Sequence, residues 1–181
     1  MASVLAGLSV APERRTGYRR SLFRLWIDAD GNGCDTRHEV LIEEAIVAPK
    51  VSADCLLTGG TWLSLYDGRT FTDPRKLDID HVVPLAEAWD SGAYAWDAAR
   101  RKAFANDLSV SWTLIAVSAA SNRSKGDKDP AEWLPPSASY TCQYLAIWVT
   151  IKARWHLAVD PAEKTAIASR SDCQATLVPV A

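Results

Sequence analysis

The sequence predicts an α+β fold in which a small core of strands and a helix is embedded in a mostly helical single domain. Two short apolar runs rich in β-branched residues, 77–85 and 112–117, are typical of strands. Residues 140–157 instead repeat apolar side chains at helical spacing, as a helix does when one face is buried. Because the strands are few and short, we expect helices to form most of the domain.

The composition is that of a globular protein. Apolar residues make up 48% of the 181 residues and include eight tryptophans, which is enough to bury a core. The formal net charge of −2 excludes a protein that coats nucleic acid through bulk positive charge, although it is compatible with a local basic patch. No apolar run reaches the length of a membrane span, so we expect no membrane partner.

We expect residues 1–17 to be a flexible N-terminal extension and residues 18–175 to form the domain. The first ten residues lack the basic segment of a signal peptide, so any such peptide is expected to have been removed already. The basic residues that follow are interpreted as a solvated terminus and the outer face of a helix. They are Arg14, Arg15, Arg19, Arg20 and Arg24.

Residues 28–39 match the spacing of an EF-hand calcium loop, with glycine at the sixth position, where the chain turns sharply. Apolar helical patterns flank this loop on both sides. The alternative is an Asx-rich turn between two helices without an ion, because Asp35 stands at the eighth position, where EF-hands carry an aliphatic side chain. Both interpretations stay open. The candidate calcium ligands are Asp28, Asp30, Asn32, Cys34 and Glu39.

Four cysteines, Cys34, Cys55, Cys142 and Cys173, have a spacing that fits no common zinc site. Three disulfide pairings are possible, and four buried thiols are the alternative. We favour Cys34–Cys55 with Cys142–Cys173, because this sequential pairing closes one loop in each half of the chain. Disulfides indicate an oxidising compartment and therefore secretion.

The central part of the chain alternates short strands and helices. Residues 62–66 alternate as a strand does, and Asp67-Gly68 is typical of a hairpin turn. Residues 85–89 and 96–105 have helical patterns. After the strand at 112–117 we expect a polar loop over 118–129, and then a helix with Asp129 as N-cap and Pro130 as its first residue. Another helix with a capping box begins near Asp160.

Polar side chains stand at unusual places in two of these segments. The strand at 77–85 contains Asp80 followed by His81, and the polar loop contains Asn122, Arg123 and Lys125. Strands rarely carry aspartate, so a solvated Asp80 beside a buried structural histidine is the plain interpretation of the first segment alone. The second segment, in this order along the chain, favours a shared site.

The two blocks are DIDHVVPLAEAW at residues 78–89 and NRSKGDKDPAEW at residues 122–133. With them the chain resembles the secreted actinobacterial endonucleases of the HNH family, which are nucleases of the ββα-metal type. The resemblance covers most of the chain, from about residue 18 to residue 173. It implies an HNH-type ββα-metal core at about 77–135.

The resemblance also implies roles for individual residues. His81 is expected to be the general base that deprotonates the attacking water. Asp80 and Asn122 are expected to bind one Mg²⁺, for which Mn²⁺ can substitute. No histidine takes the last position of the family's name after Asn122, so the full ligand set stays open, and Asp78 is expected to be solvated. The expected phosphate-binding residues are Arg123, Lys125 and Arg37, with an ion pair as the alternative for Arg37.

We therefore expect a secreted, monomeric, metal-dependent endonuclease that cleaves DNA, with RNA as a further substrate. Sequence specificity is expected to be low, because nothing in the chain resembles a separate recognition helix. The alternative function, from another class of protein, is that of a non-enzymatic, calcium-binding extracellular module stabilised by disulfides. It accounts for residues 28–39 and the cysteines but leaves Asp80, His81 and Asn122 unexplained.

Overall fold

The structure, a computed structural model, describes residues 1–177. These residues confirm an α+β architecture of helices and small antiparallel sheets. The α-helices are α1 (Ala2–Gly7), α2 (Thr36–Glu43), α3 (Leu85–Asp90), α4 (Ala98–Ala105), α5 (Ala119–Lys125), α6 (Ala138–Trp155) and α7 (Pro161–Ser169). The strands are β1 (Lys50–Val51), β2 (Leu57–Thr58), β3 (Trp62–Ser64), β4 (Arg69–Phe71), β5 (Leu77–His81) and β6 (Leu114–Ser118). Short 3₁₀ helices occupy Arg20–Leu22, Pro74–Lys76, Ala93–Ala95 and Ser171–Cys173.

Strands β5 and β6 form the sheet that carries the candidate site. They pair antiparallel over five residues, from Leu77 opposite Ser118 to His81 opposite Leu114. Because side chains alternate across a strand, the apolar positions of β5 pack on a cluster that includes residues of α2 and β3, whereas its two aspartates face α5. Strands β3 and β4 form the predicted hairpin around Asp67-Gly68.

Helix α5 begins immediately after β6. The side chain of Ser118 accepts a hydrogen bond from the backbone N–H of Ser121, and Gly126 ends the helix with a φ of 58°. The prediction of a loop over 118–129 is therefore wrong, since most of that segment is helical. Asp129 does accept hydrogen bonds from the following backbone, but it caps a turn and not a helix.

Helix α6 lies in the main core, as its apolar spacing predicts. Its buried residues include Tyr144, Ile147, Trp148 and Ile151. The helix ends at His156, which has a left-handed φ of 55°. Helix α7 begins with the predicted capping box, in which Asp160 accepts from the backbone and Glu163 bonds back to the cap. No helix within residues 1–177 has the length and apolar character that crossing a membrane demands.

The N-terminal residues are part of the core, contrary to the expectation of a flexible extension over 1–17. Met1, Leu5 and Leu8 are buried, and α1 packs against α6 and α7. Val10 forms a parallel bridge with Val159. The apolar residues of this segment thus bury surface against the C-terminal helices, which a flexible terminus cannot do.

The structure contains the disulfides Cys34–Cys55 and Cys142–Cys173, the pairing favoured from the sequence. They join residues 21 and 31 positions apart. The first ties the loop before α2 to the segment before β2, and the second ties α6 to the C-terminal 3₁₀ turn.

Removing the second disulfide with Cys142→Ser and Cys173→Ser is expected to lower the free energy of unfolding by about 3 kcal/mol, because the unfolded chain regains the freedom that the bridge removes. Urea unfolding monitored by tryptophan fluorescence measures this difference. If the free energy of unfolding of the variant differed from that of the parent by less than about 0.5 kcal/mol, the prediction would be wrong. That difference is far smaller than the effect expected for a loop of this length.

Candidate active site

A cleft of about 210 Å³ opens where the end of β5 meets α5. It brings together Asp80, His81 and Asn122, which the sequence places in two segments about forty residues apart. The other residues that line it are Arg20, Ile79, Pro84, Leu85, Arg123, Gly126 and Asp127. The fold therefore assembles the predicted base and the predicted metal ligands at one place.

His81 is held rigidly at the end of β5. Its ring packs near the rings of Trp26 and Phe104, with centroid distances of 5.9 and 6.2 Å. Its Nε2 lies 2.9 Å from the carbonyl oxygen of Ala105. Because a carbonyl only accepts hydrogen bonds, Nε2 carries the proton and Nδ1 keeps its lone pair. The ring is therefore fixed in the tautomer whose Nδ1 can accept a proton.

Burial lowers the pKa of His81 to about 3, and the nearby positive charges of Arg20 and Lys125 act in the same direction. The ring is consequently neutral at physiological pH, as a general base must be. This pKa lies far below that of a solvated histidine, because His81 is only 6% exposed. The substrate-free site thus makes His81 a weaker base than a solvated histidine.

Asp80 is buried at the back of the cleft and is 6% exposed. Its Oδ2 accepts hydrogen bonds from Lys125 Nζ at 2.7 Å and from the hydroxyl of Tyr66 at 2.5 Å. Burial raises the pKa of Asp80, and the Lys125 ammonium opposes that rise. Among the described residues, the two side chains that bond to Asp80 both donate to Oδ2. Oδ1 therefore remains available to bind a ligand.

Lys125 does not contact solvent, so its predicted role as a phosphate-binding residue is wrong. Its side chain is 0% exposed, and its Nζ bonds to Asp80 Oδ2 and, at 2.9 Å, to the backbone oxygen of His81. The lysine thus holds the position of the two residues that carry the candidate chemistry. Burial lowers its pKa, and the Asp80 carboxylate counteracts this.

Asn122 of α5 lines the same cleft as Asp80 and is oriented by Asp78. Its Nδ2 donates to Asp78 Oδ2 at 3.1 Å, which leaves the amide oxygen available as an acceptor. Asp78 was expected to be merely solvated, yet it sets the orientation of a candidate ligand. Alternation along β5 carried this signal, since Asp78 and Asp80 must share a face.

Two arginines line the cleft, and only one of them was predicted to do so. Arg123 is 79% exposed and lies 4.0 Å from Asp78 Oδ2, so its guanidinium can reach a phosphate in the cleft. Arg20 comes from the segment before the loop at 28–39, more than fifty residues from β5. No local pattern singled it out from the other arginines of the basic segment.

Arg37 lies outside this cleft, contrary to its predicted phosphate contact. It donates to the carbonyl oxygens of Leu77 at 2.8 Å and Pro74 at 3.4 Å, at the opposite end of β5 from His81. It therefore fastens α2 to the beginning of the strand. The alternative of an ion pair is also wrong, because both acceptors are backbone carbonyls.

The loop at 28–39 closes through its own hydrogen bonds. Asp28 accepts from the backbone N–H groups of Gly31 and Gly33 at 2.8 and 3.0 Å. The Asn32 amide donates to Asp30 and Glu39 at 3.1 and 2.9 Å. Helix α2 begins at Thr36, within the last third of the loop, and a 3₁₀ turn, not an α-helix, precedes the loop. The helix-loop-helix expectation is thus correct on one side only.

Asp80 Oδ1 and the oxygen of Asn122 are the predicted ligand atoms in the cleft that fit a metal ion, and Asp127 adds a further carboxylate to the cleft lining. Both are hard oxygen donors, and hard donors with few protein ligands suit Mg²⁺, which keeps several waters. The cleft offers no thiolate and no second imidazole, the donors that zinc prefers, among its lining residues.

Comparison with known proteins identifies similar chains. A family model described as "GmrSD restriction endonucleases, C-terminal domain" matches residues 45–170, a span that contains Asp80, His81, Asn122 and Arg123. A protein of Arthroderma benhamiae named "Uncharacterized secreted protein" is 45% identical over 168 residues, which cover 92% of this chain and 81% of that protein. No solved structure matches the chain significantly.

Proposed function

Because this chain belongs to the family of the C-terminal domain of GmrSD restriction endonucleases, we propose that it is an endonuclease that cleaves DNA in the cleft between β5 and α5. The family is one of nucleases, and its name implies a DNA substrate. The single observation that carries the proposal is the convergence of Asp80, His81 and Asn122 in one cleft with two arginines. Structural residues alone give no reason for that convergence.

The order of the elements supports an HNH-type ββα-metal core. Strands β5 and β6 pair antiparallel, and α5 follows β6 and packs on both strands. The proposed base lies at the end of β5, and one proposed ligand lies on α5. An HNH core requires such an arrangement of two strands and a helix around one site.

His81 would remove a proton from the attacking water through Nδ1. The bond to Ala105 keeps the ring oriented, so no reorientation is needed when the substrate arrives. A phosphate diester in the cleft brings a negative charge beside the ring, which favours imidazolium and raises the pKa of His81 in the complex. The substrate phosphate therefore counteracts the effect of burial, whereas the positive charge of a bound cation would act against it.

Asp80 and Asn122 would hold the Mg²⁺ ion, or Mn²⁺ in its place. Bound there, the ion supplies Lewis-acid stabilisation of charge on the phosphate oxygens. The chain's own contribution is to present two oxygens in fixed positions. Lys125 and Tyr66 hold Asp80, and Asp78 holds Asn122.

Arg20 and Arg123 would bind the phosphates of the backbone. Contacts to phosphates give affinity without regard to base sequence, because the backbone is the same for every sequence. We therefore expect low sequence specificity, with cleavage of RNA as a further activity and a monomer as the active form.

The protein is proposed to act outside the cell. Its two disulfides suit an oxidising compartment, and the Arthroderma benhamiae relative is named a secreted protein. A non-enzymatic calcium-binding module remains the second candidate, favoured by the ligand spacing of the loop at 28–39. That candidate gives no role to the cleft. A calcium ion in the loop is compatible with the nuclease as a separate structural site.

Plasmid cleavage tests the proposal. We expect supercoiled DNA to be degraded to a smear with Mg²⁺ or Mn²⁺ and to stay intact with EDTA. Asn122→Ala is expected to raise the Mg²⁺ concentration needed for half-maximal rate by at least about tenfold, because one of two protein ligands is lost. Gln143→Ala, which removes an exposed amide from α6, is the matched control and should behave as the parent.

Each part of the proposal can fail separately in this assay. Intact DNA and RNA under both cations would refute the nuclease assignment. Cleavage that persists in EDTA would refute the metal requirement, and discrete bands in place of a smear would refute low specificity. An unchanged Mg²⁺ dependence in Asn122→Ala would remove this residue from the ligand set.

A further inference from the structure

A second group of acidic side chains lies away from the proposed metal ligands. Glu13 of the N-terminal segment meets Glu87 and Asp90 of α3, and each offers one carboxylate oxygen within 4.8 Å of the others. Glu87 and Asp90 are each only 2% exposed, whereas Glu13 is exposed to solvent. The group therefore has a buried floor and an open side.

Asp90 supplies an observation that is independent of this clustering. Its Oδ2 accepts from the guanidinium of Arg15 at 2.7 Å. Its Oδ1 is buried and has no hydrogen-bond partner within the described residues. Burial removes the hydration of a carboxylate oxygen, and without a hydrogen-bond partner this loss raises the free energy of the folded state. A ligand that binds this oxygen would remove that cost.

The neighbouring bases do not neutralise the group. Lys152 bonds to Glu87 at 2.6 Å but also to Glu163 at 2.7 Å, so its charge is shared between two carboxylates. Arg15 likewise lies between Asp90 and, at 3.5 Å, Asp127. Among residues 1–177 no base forms a salt bridge with Glu13.

Glu13 shows the effect of this excess negative charge. Its pKa is raised to about 7 by partial burial and then by the charges of Glu87 and Asp90, with smaller contributions from Asp160 and Asp129. A carboxylate in such surroundings is stabilised either by a proton or by a cation. A cation can bind oxygens of all three carboxylates at once, whereas a proton is shared by at most two of them.

We propose that Glu13, Glu87 and Asp90 bind a calcium ion that fastens the N-terminal segment to α3. Calcium takes six to eight oxygen ligands at about 2.3–2.6 Å, so two ligands on opposite sides of one ion lie about 4.8 Å apart. The convergence of the three oxygens is within that limit. Magnesium demands strict octahedral geometry and keeps several of its waters, so three carboxylates converging from two segments suit calcium better. Waters complete the shell on the open side, at Glu13.

The site is structural and is independent of the proposed nuclease chemistry. Its ligands include neither Asp80 nor Asn122, and it also differs from the loop at 28–39. A second acidic group shares Glu13 but otherwise consists of Asp129 and Asp160. The orphaned oxygen of Asp90 favours the first group over the second. The test must therefore separate four places where calcium could bind.

Thermal unfolding of protein freed of cations with EGTA, followed with increasing CaCl₂, provides that test. At free calcium about tenfold above Kd, Tm is expected to rise by about 3–6 °C. Glu13→Gln is expected to lose most of that rise without unfolding, because the side chain is exposed. Three control variants are expected to keep the rise: Asp160→Asn, which preserves the helix cap, Glu39→Gln in the loop, and Asn122→Ala in the cleft.

Any other result contradicts the proposal, and the variant affected shows where the ion binds instead. No rise in Tm, or a full rise in Glu13→Gln, would mean that the group binds no calcium. Loss of the rise in Asp160→Asn would move the ion to the second acidic group. Loss in Glu39→Gln would move it to the loop, and loss in Asn122→Ala would move it to the nuclease cleft. No activity measurement enters the test, so its outcome does not depend on the proposed function.

Discussion

Replacing His81 by alanine is expected to reduce the rate of DNA cleavage by about 10²- to 10⁴-fold, the range that a positioned general base contributes. The loss follows from the geometry of the ring, whose Nε2 is occupied by the carbonyl of Ala105 and whose Nδ1 is the nitrogen left to accept a proton. The measurement is the initial rate of plasmid cleavage at saturating Mg²⁺.

Because His81 is buried, the substitution also opens a space beside Trp26 and Phe104, so a second variant is needed. His81→Gln fills most of that space and can donate to Ala105, but an amide cannot accept the proton. It should be as inactive as His81→Ala while unfolding at a Tm nearer that of the parent.

The matched control is His156→Asn. His156 is exposed and adopts a left-handed φ of 55°, a conformation that asparagine tolerates. This variant is expected to cleave at the parent rate. If His81→Gln were folded and cleaved within tenfold of the parent, another group would have to be the base.

The largest expected effect on stability comes from Lys152→Met. Lys152 is 0% exposed and forms ion pairs with Glu87 and Glu163, which are themselves buried. The indole of Trp148 also donates to Glu163. Removing the ammonium leaves two buried carboxylates without their cation, so the free energy of unfolding is expected to fall by about 3–5 kcal/mol. Urea unfolding measures the change.

The effect of Lys152→Met should depend on pH. Burial raises the pKa of Glu163 to about 7 in the folded protein, and Lys152 opposes that rise, so removing the ammonium raises this pKa further in the variant. A carboxyl group whose pKa is higher in the folded state stabilises the fold below its unfolded pKa and loses that contribution as pH rises through the folded pKa. The variant is therefore expected to be closer to the parent at pH 5 than at pH 8.

Two controls complete the experiment. Lys128→Met removes an exposed lysine and is expected to change the free energy of unfolding by less than about 1 kcal/mol. Lys152→Met combined with Glu87→Gln and Glu163→Gln removes the uncompensated charges and should recover part of the loss. A single Lys152→Met variant as stable as the parent at pH 8 would show that these carboxylates do not need the ammonium.

Features that depend on neighbours in the chain were predictable. The capping box at Asp160 and Glu163, the hairpin around Asp67-Gly68 and the extent of α6 follow from local hydrogen bonds, turn conformations and apolar spacing. The two sequence blocks also indicated that Asp80, His81 and Asn122 lie close together, because Asp80 and His81 end one strand and Asn122 follows the strand that pairs with it.

The beginning of α5 was not predicted, although the residues that start the helix are neighbours in the chain. Ser118 is a good helix cap, but the polar residues after it are equally typical of a loop. Packing of α5 on β5 and β6 decides between the two conformations, because tertiary contacts outweigh a weak helical propensity.

The environment of each site residue was decided by the tertiary structure alone. Lys125 is basic and was predicted from the sequence to bind phosphate, yet the fold buries it against Asp80. Arg37, which was expected to bind phosphate, lies at the far end of β5. Arg20, which was expected to be solvated, reaches the cleft from a distant segment. The pKa of His81 falls because two aromatic rings and the chain around it exclude water.

The sequence by itself thus determined which residue types are present, their order, and the local conformations that bring Asp80, His81 and Asn122 to one sheet and its following helix. The tertiary structure decided which side chains are buried, which of their atoms remain free, and which distant charges join them. The physical reason is that burial and electrostatic interaction are sums over neighbours in space, and most of those neighbours are remote in the chain.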